Sequence, residues 1–290
     1  MKGVLDTVII RDDDPCLFGC DKKFFVYTPE GFSLEEGNRY PVILCFDGQN
    51  AFCEYENYRP ESKDSTAIDE SLERNFLKAV VIGVYDGEGE TIRNRQLTMS
   101  GRFGKVNDFE GDKSFRKGVL EEFCNFLTTH ALPYFKEKYN LTLTNNVISV
   151  GASSGGLASL YISLKYPELF CSSVALSPAT CLFSIDDWKR FLKGLKPNEN
   201  QKYYLYNGKD TEDELESYLY DADGDDKYLS ANKIKNLLTY FGIPAENVQE
   251  EFKDKAMHNE KFWALYLSEN LSMILKHFNK AESKTEKVGL

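Results

Sequence analysis

The chain is poor in the residues and runs that mark several protein classes. No apolar run approaches the ~18 residues that a membrane-spanning helix needs. Positive charge is in deficit, 35 Lys+Arg against 46 Asp+Glu, for a net charge of −11. Neither nucleic acid nor an anionic membrane surface is therefore an expected partner. No stretch rich in Pro, Gly or Ser divides the chain, and no internal repeat is visible. The start, MKGVLDTVIIRDDDPC, has only short apolar pieces broken by Asp6 and no signal-peptide core, so a cytoplasmic location is expected. The seven cysteines, Cys16, Cys20, Cys45, Cys53, Cys124, Cys171 and Cys181, are odd in number and sit in apolar contexts such as ILCF and EEFCNF. That suits reduced, buried thiols better than a disulfide framework. Cys16 and Cys20 lack a nearby His or second Cys pair, so no metal site is expected there. Histidine is scarcest where it matters most: there are three.

What remains, 42% hydrophobic and 28% charged over 290 residues, is an ordinary globular chain. It reads as one domain over 1–279, with a polar tail at 280–290 free to fray. Short β-rich runs alternate with helical stretches. Strands are predicted at 4–10, 23–28, 41–46, 79–85, 146–151, 172–177, 202–206 and 247–252. PVILCF, AVVIGV and SSVALS are apolar on both faces, as strands covered on both sides by helices require. Helices are predicted at 114–139, 155–165, 185–195, 230–241 and 260–278 from apolar spacings of three and four. The alternation implies right-handed crossovers and hence an α/β fold with a mostly parallel eight-stranded sheet. The first two strands, with no helix between them, should form an antiparallel edge. Residues 86–113 show no clear element, and loops of that length are commonly functional.

Gly151-Ala152-Ser153-Ser154-Gly155 stands between a predicted strand and an apolar helix. G-x-S-x-G alone arises by chance in roughly one chain of this length in ten. In strand-turn-helix context it is the nucleophile elbow of α/β hydrolases. The glycines clear a turn too tight for a Cβ, and the hydroxyl of Ser153 is presented at a helix N-terminus, where backbone N–H groups can stabilise an oxyanion. Ser154 would contribute its N–H. A serine nucleophile needs a base, and the order in this fold is Ser, acid, His. His130 precedes the serine on a long helix, and His277 falls in a last helical turn. His258, in KDKAMHNEKFWALYL just after the last strand, is left as the base. The acid should follow the penultimate strand, where KYYLYNGKDTEDE places Asp210 after a Gly turn, with Glu212 and Asp213 as alternatives. The loop CFDGQNAF would supply the second oxyanion donor through the N–H of Gln49. Ser, His and two backbone N–H groups suffice for acyl transfer, so neither a cofactor nor a metal is expected.

These segments together, PVILCFDGQNAF, VVIGV, LPYFKEKY, SVGASSGGLASLYISLKYPELF, ALSPA and a late H-N-E-x-x-W, resemble the esterase family that contains esterase D, enterochelin esterases, feruloyl esterases and related acetyl esterases. The similarity runs from about Phe24 to Phe278. It implies an α/β-hydrolase fold and a serine carboxylesterase working through an acyl-enzyme. Ser153 would be the nucleophile, His258 the base, Asp210 the acid, and Gln49 and Ser154 the oxyanion donors. The turn before Asp210 is one residue shorter than the family's common pattern. Mycolyltransferases also belong to the family, so acyl transfer to an alcohol other than water is an alternative, as is a hydrolase-fold binding protein without activity. The expected partners are a small-molecule or oligosaccharide ester and, as an option, a second copy of the chain in a homodimer.

Phe52, Tyr55 and Tyr58, with Arg93, Arg95, Phe103 and Phe109, are candidates to line the substrate pocket, or else to pack beneath a long loop. Nine acids and no Lys or Arg lie between Asp210 and Asp226. Within this run, D-A-D-G-D-D has its Gly224 misplaced for an EF-hand loop and Asn232, not Glu, at the twelfth position from Asp221, so the acidic run reads as a solvated loop; with Asp210 as the acid it would emerge beside the site and favour neutral or cationic substrates.

Overall fold

The computed structural model describes residues 3–52, 65–86, 89–100, 117–209 and 212–276. Its centre is one sheet of eight strands: β1 (Val4–Ile10), β2 (Lys22–Thr28), β3 (Val42–Cys45), β4 (Val80–Val84), β5 (Val147–Ala152), β6 (Phe170–Leu176), β7 (Lys202–Gly208) and β8 (Val248–Lys253). Their order is β1-β2-β4-β3-β5-β6-β7-β8. β1 and β2 form the expected antiparallel edge, and β2 also runs antiparallel to β4. All other pairings, from β4 through β3 to β8, are parallel. All eight predicted strands are present, with ends displaced by at most two residues.

The helices are α1 (Ile68–Arg74), α2 (Glu90–Gln96), α3 (Leu120–Phe126), α4 (Leu132–Tyr139), α5 (Ser154–Lys165), α6 (Ile185–Leu192), α7 (Glu214–Asp221), α8 (Ile234–Phe241) and α9 (Glu260–Leu275). The alternation of side chains along each strand divides them between two cores. Val42 and Leu44 of β3 join Leu157, Phe135 and Trp188 on one face, while Ile43 and Cys45 join Leu72, Trp263 and Leu271 on the other. Covered on both faces, β3 and β4 are apolar throughout, while the buried Ser149 of β5 and Ser173 of β6 are hydrogen-bonded to Ser159 of α5.

Three expectations are corrected. The helix predicted over 114–139 is two helices, α3 and α4, joined by a π turn at Leu127–Ala131. Thr128 and Thr129 donate their hydroxyls to the carbonyls of Cys124 and Asn125, and Pro133 has no N–H to give, so the regular ladder opens there. Residues 86–113 are not all irregular, since α2 lies within them. The stretch read as an acidic loop contains α7, whose inward face proves decisive below.

His130 is on the π turn, its Nδ1 2.7 Å from Asp12 Oδ2 and its ring 5.7 Å from that of Phe126. That hydrogen bond holds the Asp12 carboxyl below its ordinary range. His277 lies outside the described residues, as does the tail.

Candidate active site

The parallel strands deliver their C-terminal ends to one edge of the sheet, and the loops there meet around a cavity of about 340 Å³. Ser153 sits between β5 and α5 at φ 56°, ψ −123°, a conformation costing an L-residue about 1–3 kcal/mol. The surroundings impose it. The Ser153 N–H donates to the Leu176 carbonyl at 2.9 Å, and its own carbonyl accepts from the N–H groups of Gly156, Leu157 and Ala179. A Cβ on Gly151 would fall onto the Gly155 carbonyl, and one on Gly155 would stand 3.0 Å from Asp47 Oδ2. The two motif glycines thus have the steric purpose expected of them. Ser153 and Ser154 both line the cavity, Ser154 as the first residue of the twelve-residue α5, where helix N–H groups are unclaimed by the helix itself.

His258 also lines the cavity, between β8 and α9, its side chain 12% exposed. Its Nδ1 lies 2.8 Å from Oε2 of Glu216 in α7. Glu216 is fully buried, and its Oε1 accepts from the Ser177 hydroxyl at 2.6 Å and from the Gly208 N–H. Opposite an ionised carboxylate, which only accepts, Nδ1 carries the proton and Nε2 keeps its lone pair. The Trp263 ring meets the imidazole edge to face at 4.9 Å.

Asp210 lies outside the described residues, and the carboxylate seen on the imidazole is Glu216. Of the alternatives, Glu212 is exposed. Asp213 does not touch the ring: its Oδ2 accepts the backbone N–H of His258 at 2.8 Å and its Oδ1 that of Glu216 at 3.0 Å, so one side chain caps α7 and anchors the histidine loop to it. The missed signal was periodicity. Glu216 and Leu219, three apart, are the inward face of a short helix inside an acidic run, and the buried Ala222 just past its end continues that spacing.

After β3 the chain turns at Asp47, φ 53°, into Gly48–Asn50. Asp47 takes a two-pronged contact from Arg93 of α2, Nε at 2.6 Å and Nη2 at 2.7 Å. The Asp47 N–H donates to Asp86 Oδ2 at 3.1 Å, and Asp86 Oδ1 accepts from Lys22 at 2.9 Å. The Gln49 side chain turns inward, donating to Asp47 and accepting from the Asp86 N–H. Gln49 is 1% exposed, and it is Phe46, Asp47 and Asn50 of this turn that line the cavity.

The cavity is lined by the apolar Leu176, Ala179, Leu182, Leu215 and Leu219 and by the polar Asn50, Glu90, Arg93 and Asn94. Arg93 therefore reaches the cavity as expected, whereas Arg95 packs over the Phe18 ring and donates to the Lys117 carbonyl. Phe52 is not a lining residue. It is fully buried in the core, its ring 6.5 Å from that of Phe25. Tyr55, Tyr58, Phe103 and Phe109 lie outside the described residues. Two thiols line the cavity; burial pushes Cys181 up to about 12 and Cys45 higher still, with Asp47 and Asp86 adding to the latter, so both are neutral near pH 7 and poor nucleophiles.

A family model described as "Putative esterase" matches residues 17–274. The chain belongs to this esterase family. The fold is that of the α/β hydrolases. Among solved structures, it resembles the enterobactin esterase of Shigella flexneri (TM-score 0.63, 15% identity, 94% of this chain and 59% of that one). It also resembles a ferulic acid esterase (TM-score 0.61, 13% identity, 95% and 99%) and the BES protein of Bacillus cereus (TM-score 0.60, 17% identity, 94% and 94%). A curated relative, the uncharacterized protein YbbA of Bacillus subtilis, is 21% identical over 151 residues, 52% of this chain and 54% of that one. The chain thus spans little more than half of YbbA and of the enterobactin esterases. Among the described residues of this family member, no group of three or more His, Cys, Asp or Glu is placed to hold a metal ion, and no helix is long and apolar enough to cross a membrane.

Proposed function

We propose that this esterase is a serine carboxylesterase in which Ser153 is the nucleophile, His258 the general base and Glu216 the acid. The observation that carries the proposal is the strained Ser153 opening onto the same cavity as a histidine whose far nitrogen is held by a buried carboxylate. His258 Nε2 takes the Ser153 hydroxyl proton as Oγ attacks the ester carbonyl. The developing oxyanion is met by the Ser154 N–H and an N–H of the turn after β3, where Gln49 is the expected donor. His258 then returns the proton to the leaving alcohol, and water, activated by the same base, releases the acid from the acyl-enzyme.

A lining that mixes apolar side chains with the polar Asn50, Glu90, Arg93 and Asn94 suits an ester with an apolar and a polar part, so small-molecule or oligosaccharide esters are the proposed substrates. Structural relatives carry the names enterobactin esterase and ferulic acid esterase. An ester panel of acetyl, feruloyl and catecholate substrates therefore addresses the choice among them. Fluorophosphonate labelling should modify Ser153, and Ser153→Ala should abolish both labelling and p-nitrophenyl acetate cleavage. Label on another residue, or unchanged cleavage by the variant, would refute the mechanism.

A further inference from the structure

Ser177 follows β6 at φ 41°, in the left-handed region where glycine is at ease and serine is strained. It is fully buried and does not line the cavity. What serine brings to this position is its hydroxyl, and that hydroxyl is committed at both ends. Trp263 Nε1, a donor only, reaches Ser177 Oγ at 2.9 Å, which leaves the hydroxyl proton to point at Glu216 Oε1, 2.6 Å away. The far oxygen, Oε2, faces His258 Nδ1 at 2.8 Å. The path from indole to imidazole is thus an unbroken chain of directed hydrogen bonds, and Trp263 closes it by packing its ring edge to face against His258. A fully buried carboxylate on a helix can rotate about its last torsion. Two donors on Oε1, the Ser177 hydroxyl and the Gly208 N–H, fix that rotation so that Oε2 stays on the imidazole.

We propose that Ser177, oriented by Trp263, is a positioning residue that fixes the Glu216 carboxylate against His258. The inference rests on the triad of Ser153, His258 and Glu216 and deepens it. Ser177→Gly removes the hydroxyl while relieving the positive φ, so loss of activity would not follow from backbone strain. It should lower kcat roughly ten- to a hundred-fold, as expected on losing a hydrogen bond to a charged group, with KM within about twofold, because the residue lies outside the cavity. Trp263→Phe, which keeps the ring edge and removes the donor, should also lower kcat. The double variant should be no worse than Ser177→Gly alone, since the indole acts through the hydroxyl. The His258 Nδ1 proton should give a downfield, slowly exchanging NMR signal in the parent that is shifted or lost in both single variants.

Wild-type kcat in folded Ser177→Gly, multiplicative effects in the double variant, or an unmoved Nδ1 signal would overturn the inference. If Ser177→Gly does not fold, Trp263→Phe decides by kcat and the Nδ1 signal. Ser153→Ala and Glu216→Gln run in parallel separate the two levels. Activity retained in either refutes the triad itself, whereas their inactivity beside an unimpaired Ser177→Gly refutes the role of Ser177 alone.

Discussion

At the scale of single residues, the site is built by side chains that each serve two neighbours. Asp213 shows this most directly, since one carboxylate ties the backbone of His258 and that of Glu216 to the first turn of α7. Asp213→Ala should therefore lower stability by about 1–3 kcal/mol, the loss of a helix cap plus one partly buried hydrogen bond, measured by urea unfolding. It should also lower kcat by less than the loss of Glu216 does. Asp213→Asn, with a single acceptor oxygen, should keep one of the two ties and fall between Ala and the parent. An Asp213→Ala protein as stable as the parent would show that the two bonds are not formed. Phe52 makes the contrasting case. An aromatic read as pocket lining is a core residue, and Phe52→Ala should cost about 3–5 kcal/mol in unfolding free energy with little change in substrate preference.

At the scale of elements, what could be read from the sequence is what local rules dictate. β3, β4 and β6 were legible because a strand buried on both faces shows no regular alternation of apolar and polar residues. The strand-to-helix turn at Ser153 was legible because so tight a turn demands glycine on both sides, and the place of His258 at the same cavity because so few histidines compete. Glu216 was not legible in the same way. The acid was sought directly after the turn that ends β7, where an Asp suffices. The chain instead continues into α7, and the carboxylate that meets His258 is a Glu in its first turn, long enough to reach back. A run of acids disguised the inward stripe of that helix, and α2 inside 86–113 was hidden likewise, since seven residues carry little periodicity. Gly208, at the end of β7, shows how closely these elements approach. A Cβ there would fall onto the Ala256 carbonyl and stand 2.8 Å from Glu216 Cγ. Gly208→Ala should therefore damage kcat as well as thermal stability; a folded variant of unchanged kcat would contradict that packing.

At the scale of the whole molecule, the site is braced by the strands beside β3. Lys22 of β2 and Asp86 after β4 form an ion pair 1% and 0% exposed, and Asp86 holds the Asp47 N–H in the turn after β3. Lys22→Met strands a buried carboxylate and should cost about 3–5 kcal/mol in urea unfolding. Adding Asp86→Leu should restore much of that stability but not activity, because the Asp47 N–H loses its acceptor. Equal recovery of both would show that the pair matters only for folding. The acidity of the chain is likewise organised. Of the acids described between Glu212 and Asp226, Glu216 alone is buried, and the others stand partly or fully in solvent. The most direct test of the site is kcat/KM on p-nitrophenyl acetate for Glu216→Gln beside Asp210→Asn. With Glu216 as the acid, the first should fall by roughly 10³–10⁴-fold, as on loss of a triad carboxylate, and the second should change little. A larger fall for Asp210→Asn, or a Glu216→Gln enzyme within tenfold of the parent, would contradict the assignment.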